Sequence, residues 1–249
     1  MDKGVAVKRI LLKLSGETLM GDQGFGINQE ACQQVAHYLH KIHGMGLQVA
    51  VVIGGGNIFR GINLRATGLP RTSADHMGML ATLLNGIALQ QALMAAGAKA
   101  CVMSALECPK VAESYNWGKA LQYLEEGTIL IFVGGTGNPY FTTDTAAALR
   151  ASEIHADILF KATKVDGIYS RDPLKHSDAV KYDRISYSQV LAEKLQVMDA
   201  TAIALCRSNQ IPIFVFNMRR LLENDLEPVL KDFSHGTLVD DYENKISGT

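Results

Sequence analysis

Short apolar runs recur along the chain, several closed by glycine, and between them lie stretches in which apolar residues return every three or four positions. Arg9 to Ser15 and Leu47 to Ile53 read as mostly apolar strands. Asn28 between them can cap a helix whose inner face is Ala31, Val35, Tyr38, Leu39 and Ile42, which completes a βαβ unit. A second helix is expected from about Ser73 to Ala96, with Met77, Leu80, Leu84, Ile87 and Leu93 as its apolar stripe and Gly97 at its end. Ala100 to Met103 reads as a strand, Trp117 to Glu125 as a helix, and Thr128 to Val133 (TILIFV) as a strand buried on both faces. Thr143 to Ile154 then reads as helix, Asp157 to Lys161 as strand, Asp199 to Asn209 as helix and Ile211 to Phe216 as strand. Strands alternating with helices predict an α/β fold, a three-layer αβα sandwich around a mainly parallel sheet. Asp166 to Asp183, rich in charge and holding Gly167 and Pro173, is expected to be a long surface loop, and Asp240 to Thr249 a frayed tail.

The 249 residues, 47% hydrophobic, suit one domain spanning 1–249. Lys plus Arg number 24 against 25 Asp plus Glu, so the basic excess of a protein that wraps DNA or RNA is missing, and any polyanion must meet local charge. No apolar run approaches the roughly 20 residues of a membrane span, and the N-terminal stretch lacks the form of a signal peptide, which together predict a cytoplasmic protein with no membrane partner. Cys32, Cys101, Cys108 and Cys206 are scattered without zinc-like spacing and read as reduced thiols. His37, His40 and His43 wander around their helix with no carboxylate placed to join them, so no metal site is expected there.

In an open parallel sheet, ligands bind beyond the carboxyl ends of the strands. The residues there share one chemistry: Lys13-Leu14-Ser15-Gly16, then Gly54-Gly55-Gly56-Asn57, then Gly134-Gly135-Thr136-Gly137-Asn138. Glycine lets backbone N–H groups approach an anion closely, and a helix starting just afterwards adds its positive end. Any one loop could be a simple tight turn. Three on one sheet edge, with Lys13 and Arg60 nearby, point to a polyphosphate site. It is not a Walker A loop, because the Gly118-Lys119 pair is followed by Ala120 and preceded by Glu113 where the first glycine belongs. A dinucleotide fingerprint also fails, since Phe59 stands where the third glycine is needed.

KLSGE (Lys13 to Glu17), VVIGGGNIFRG (Val51 to Gly61), DHMGMLAT (Asp75 to Thr82), GTGNPYFTTDTAAALRA (Gly135 to Ala151), KATKVDGIYSRDP (Lys161 to Pro173) and VMD (Val197 to Asp199) resemble the bacterial UMP kinases of the amino acid kinase superfamily. The resemblance runs from about Val7 to Val239 with the motifs in order. It implies transfer of a phosphoryl group from MgATP to UMP, in pyrimidine nucleotide biosynthesis, with Mg2+ carried in by ATP.

The resemblance also implies roles. Lys13, Lys161, Asp144 and Asp199 would be catalytic, the acids orienting the lysines. ATP would meet Lys13, Leu14, Ser15, Gly16, Gly56, Arg60, Thr163, Tyr169 and Asp172. UMP would meet Gly55, Asp75, Thr136, Gly137, Asn138, Pro139, Tyr140, Phe141, Thr142 and Thr143. On residues alone, Asp75 could equally cap its helix, Asp144 could be a first-turn acid favoured by the helix dipole, and Tyr169 an ordinary packed aromatic. The family further implies a homohexamer, with about 1–155 mainly binding UMP and forming the oligomer and about 156–240 mainly binding ATP, and UTP as a feedback inhibitor. GDQGFG (Gly21 to Gly26) resembles the segment tied to GTP activation, but Gln90, Met94, Cys101 and Thr128 stand where basic groups are expected, with Trp117 retained, which implies weak or absent activation. Two other readings remain open: a superfamily relative acting on a carboxylate, carbamate or isoprenoid phosphate, and a noncatalytic nucleotide- or oxyanion-binding protein on the same sheet.

Overall fold

The computed structural model describes residues 7–59, 68–195, 197–222 and 233–241. Its centre is a sheet built from β1 (Arg9–Leu14), β2 (Gln48–Ile53), β3 (Ala100–Ser104), β4 (Glu113–Ser114), β5 (Ile129–Val133), β6 (Ile158–Thr163), β9 (Arg184–Ser186), β10 (Ile213–Asn217) and β11 (Gly236–Asp240). The order is β4-β3-β5-β2-β1-β6-β10-β11-β9, and only the β10–β11 pairing is antiparallel. β1 therefore runs down the middle.

Alternation along the strands sorts side chains into two cores. Ile10, Leu12 and Leu14 of β1 and Val49, Val51 and Ile53 of β2 face α1 (Gln29–Gly44) and α2 (Arg71–Ala95). Leu11, Ala50, Val52 and Leu159 face α3 (Trp117–Glu125), α4 (Thr143–Glu153), α5 (Tyr187–Ala192) and α6 (Ala200–Ser208). The result is the expected three-layer αβα arrangement. Asn28 caps α1 by accepting from Ala31 N at 2.9 Å, and the expected inner face of that helix is buried.

Four expectations need correction. The stripe foreseen for α2 is largely on the wrong side: Met77, Leu80 and Leu84 are 43%, 50% and 52% exposed, while Leu83, Gly86, Leu89 and Leu93 face the sheet. The helix is apolar nearly all round, so hydrophobic spacing alone did not choose a face. Close approach did, since a Cβ on Gly86 would stand 2.5 Å from Val133 Cγ1. This helix is also long and apolar enough to cross a membrane, but one side is packed on the sheet. Second, α2 begins at Arg71, so Asp75 lies a full turn inside it and is no cap. Third, the foreseen long loop holds a hairpin of β7 (Ile168–Tyr169) and β8 (Lys181–Tyr182), anchored by Ile168 N donating to Thr237 Oγ1 at 2.8 Å. Asp240 likewise ends β11, paired with Arg184, rather than starting a tail; 242–249 lie outside the described residues.

Candidate active site

The parallel register of β1 on β6 sets Lys13 directly opposite Lys161. By alternation both point the way of Leu11 and Leu159, toward α4. Like charges placed opposite one another on neighbouring strands repel. Asp144, in the first turn of α4, stands between them. Lys13 Nζ lies 3.0 Å from its Oδ1, and Lys161 Nζ donates to its Oδ2 at 2.7 Å and also to the Val197 carbonyl.

The triad is largely out of water, with side-chain exposures of 15% for Lys13, 15% for Asp144 and 12% for Lys161. Burial alone would push the Asp144 carboxyl up, but the charges of Lys13 and Lys161 outweigh it and hold the group below the usual carboxylate range. Burial pushes the Lys161 ammonium below its usual value; Asp144 opposes this and Lys13 adds to it.

Two helix starts converge here. Thr142 caps α4, its Oγ1 accepting from Asp144 N at 3.0 Å and Thr145 N at 3.3 Å, and donates to Asp199 Oδ2. Asp199 caps α6 through Ala202 N at 2.9 Å and accepts from the Thr145 hydroxyl at 2.9 Å. Its hydrogen bonds thus tie α6 to the start of α4, and it reaches Lys161 through its field alone. Both helix N-termini add partial positive charge near the lysines.

One cavity reaches the triad at Lys161, and a second opens beside Thr142 and Thr143, next in sequence to Asp144. The larger, about 630 Å³, is lined by Lys161, Thr163, Tyr169 and Asp172 together with Val165, Leu195, Arg171 and Lys175. The smaller, about 420 Å³, is lined by Gly55, Gly56, Asp75, Thr136, Asn138, Phe141, Thr142 and Thr143, with Phe59, Met79 and Thr82. Gly56, expected with ATP, borders this second space. Gly137, Pro139 and Tyr140 are not among its lining residues. Gly137 N closes a turn on Gly134 O at 2.9 Å. Tyr140, at φ 75°, carries Arg71 over its ring at 4.7 Å and donates its N–H to Asp75 Oδ2 at 2.7 Å.

On the other side, Thr163 turns its hydroxyl back to Val165 O at 2.6 Å. Tyr169 donates to Asp166 Oδ1 at 2.6 Å, and Asp172 accepts from Leu174 N at 3.0 Å. Ser15 Oγ accepts from Glu17 N at 3.3 Å, capping a single 3-10 turn that starts at Gly16. Leu14 points its side chain into the core and its carbonyl accepts from Gly54 N at 3.0 Å. Arg60 lies outside the described residues. Sequence reasoning missed Arg71, Thr82, Asn57 and Asn85. The signal for the last three was available, as polar residues placed where a strand end or an apolar helix meets the core.

A buried lysine pair bridged by a carboxylate at the carboxyl edge of a parallel sheet, with glycine loops beside it, is the chemistry of an anion-handling α/β enzyme. A model of the amino acid kinase family matches residues 8–217, and the chain belongs to that family. Within it, the chain is 77% identical over 236 residues to a uridylate kinase of Protochlamydia amoebophila, covering 95% of this chain and 94% of that one. The crystal structure of UMP kinase from Bacillus anthracis matches with a TM-score of 0.89 at 35% identity, covering 95% of this chain and 97% of the other. UMP kinase from Ureaplasma parvum matches with a TM-score of 0.89 at 36% identity, covering 95% and 100%.

Replacing Asp144 by Asn leaves two buried ammonium groups facing each other. Asp144→Asn should lower stability at neutral pH by about 3–5 kcal/mol, measured by urea unfolding. Because the folded carboxyl is held low, its stabilisation is present above the ordinary carboxylate range and lost as pH falls through the folded value. The gap between wild type and variant should therefore close toward strongly acidic pH. A gap that is small at pH 7, or widens on acidification, would contradict the bridge.

Proposed function

We infer that this chain transfers the γ-phosphoryl group of ATP to UMP, giving ADP and UDP. The observation that carries the reading is the Asp144-bridged pair of Lys13 and Lys161: Lys161 lines the larger cavity, and Thr143, next to Asp144, lines the smaller. The 77% identity to a uridylate kinase selects UMP as the acceptor.

The acceptor is a phosphate oxygen already ionised at neutral pH, so no general base has to remove a proton. The obstacle is repulsion between two anions. We assign Lys13 to the transferring group and Lys161 to the leaving phosphates, with Asp144 aiming both and Asp199 fixing the start of α4. Compact ammonium groups held by a shared carboxylate supply positive charge without reorganising during transfer. In this reading ATP lies in the larger cavity against Thr163, Tyr169 and Asp172 and extends its phosphates past it to Lys13 to Gly16 and to Gly56 at the border of the smaller cavity, while UMP lies in the smaller cavity against Gly55, Asp75, Thr136, Asn138 and Phe141 to Thr143, with Gly137, Pro139 and Tyr140 completing the loop around it. Residues 1–155 then mainly serve UMP and assembly, and 156–240 mainly ATP.

The carboxylates beside the lysines are already engaged, Asp144 by ammonium groups and Asp199 by hydroxyls and an amide. Mg2+ would accordingly be held by ATP oxygens and water, where it offsets phosphate charge. We assign the enzyme to pyrimidine nucleotide synthesis in the cytoplasm, a reducing compartment that suits its four free cysteines. UTP, which shares its base with UMP, is the proposed feedback inhibitor. A homohexamer is proposed too, supported by the exposed Met77, Leu80, Leu84 and Met94 of α2 and the exposed Trp117. Weak or absent GTP activation is consistent with Met94 and Gln90, neither of them cationic, on that helix.

A coupled assay of ADP release should show turnover with UMP and none without acceptor; inactivity with UMP, CMP and dUMP alike would favour a noncatalytic binding protein. Lys13→Ala should reduce kcat at least about a hundredfold with the fold intact by circular dichroism, and near-normal turnover would remove Lys13 from the mechanism. Leu84→Glu should lower the sedimenting mass below that of a hexamer, whereas an unchanged hexamer would free α2 of this role. GTP at fixed UMP and ATP should leave the rate within about twofold, too little for a coupling of even 1 kcal/mol; a several-fold rise would contradict the argument from missing cations.

A further inference from the structure

Beneath the triple glycine sits a buried pair of amides that the phosphoryl-transfer scheme leaves without a part. Asn57 is 1% exposed and Asn85, in the middle of apolar α2, is 0% exposed. Asn57 Nδ2 donates to Asn85 Oδ1 at 2.9 Å and Asn85 Nδ2 donates back to Asn57 Oδ1 at 2.7 Å. Their remaining amide hydrogens go outward to main chain: Asn85 Nδ2 to Gly54 O at 2.7 Å, and Asn57 Nδ2 to Gly26 O at 2.7 Å. Gly26 N returns a bond to Asn57 O at 2.8 Å.

The loop after β1 rests on the same pair. A Cβ on Gly16 would stand 2.2 Å from Asn57 Oδ1, 2.6 Å from Gly54 O and 3.0 Å from Asn85 Nδ2. One turn before Asn85, the Thr82 hydroxyl accepts from Gly134 N at 2.7 Å while donating to Met79 O at 2.6 Å. A single turn of α2 therefore holds the loop after β2 through Asn85, the loop after β5 through Thr82, and packs against the loop after β1. Polar groups at an otherwise apolar helix–sheet contact are unfavourable unless bonded, and once bonded they permit only one arrangement. Apolar side chains of similar size would fill the space and leave the loops free to slide.

We propose that Asn57 and Asn85, together with Thr82, are positioning residues for the transfer. They fix the separation between the loops that carry the donor phosphates and the loops that carry the acceptor; Asn57 and Asn85 line neither cavity and act without touching either nucleotide, while Thr82 also borders the smaller cavity. The proposal rests on the phosphoryl-transfer reading above. Misplacement of reacting groups by about 1 Å can lower a rate about a hundredfold, so loss of this register should appear in kcat.

The test measures kcat, both KM values and Tm for Asn85→Ala and for Asn57→Ala, the second leaving Asn85 bonded to Gly54. The control is Leu39→Ala, a fully buried residue of α1 in the core on the same side of the sheet. At a temperature where all are folded, Asn85→Ala should lose at least about tenfold in kcat, with both KM values moving less than about threefold, and Asn57→Ala should show a smaller fall of the same kind. Leu39→Ala should lose comparable Tm and keep its kcat. If Asn85→Ala does not fold, Asn57→Ala alone decides. Asparagine variants that lose Tm but keep kcat within about twofold would overturn the proposal and leave the kinase reading standing. No turnover in the unmodified protein would overturn both.

Discussion

Two lysines stand opposite one another on adjacent parallel strands, and a single carboxylate makes that tolerable. Lys13 and Lys161 share a register position, a consequence of β1 pairing with β6, so their ammonium groups are brought together by the sheet itself. Without Asp144 the same geometry would concentrate two positive charges in a space that water barely reaches, at a cost of several kcal/mol. With it, the protein keeps two ammonium groups side by side at the sheet edge, the charge that the proposed transfer would use. The net charge of −1 shows that this attraction is local rather than global.

Much of the surrounding structure holds that triad still. Thr142 and Asp199 join the starts of α4 and α6, so the helix carrying Asp144 is fixed where it meets the lysines. On the opposite face of the sheet, α2 grips two of the glycine loops through Thr82 and Asn85. Chemistry at the sheet edge is thereby clamped from both layers. The glycines serve two purposes in this scheme, since they bare main-chain donors and also let helix and loop approach more closely than any side chain would allow.

The strand–helix alternation was legible where β1, β2, β3, β5, β6 and β10 are short, mostly apolar runs and α1 has a clear period; β4 and β9, two or three residues long and mostly polar, gave no such signal. Asn28 caps α1 as its place before the apolar period implied, whereas the cap that Thr142 provides for α4 went unread. The orientation of α2 was not legible: with apolar residues on nearly every side, spacing carries no direction, and the deciding features were Gly86 and the small polar residues that fit against the sheet. The hairpin within 166–183 was hidden because its strands are two residues each, too short to show alternation. At the site, the family motifs brought Lys13, Asp144 and Lys161 to notice, but the shared strand register that joins the lysines is a tertiary fact. Asp199 was expected to orient the lysines, and its hydrogen bonds go to threonines and to the cap of α6 instead, which spacing along the chain could not reveal.

The most direct test is a crystal structure with UMP and a nonhydrolysable ATP analogue bound together. The terminal phosphate of the donor should lie within hydrogen-bond reach of Lys13 Nζ, over Gly54 to Gly56, with the UMP phosphate on the side of Thr136 to Thr143 and Asp144 still between the two lysines. Phosphates bound away from Lys13, or Lys13 and Lys161 separated with Asp144 turned elsewhere, would contradict the account.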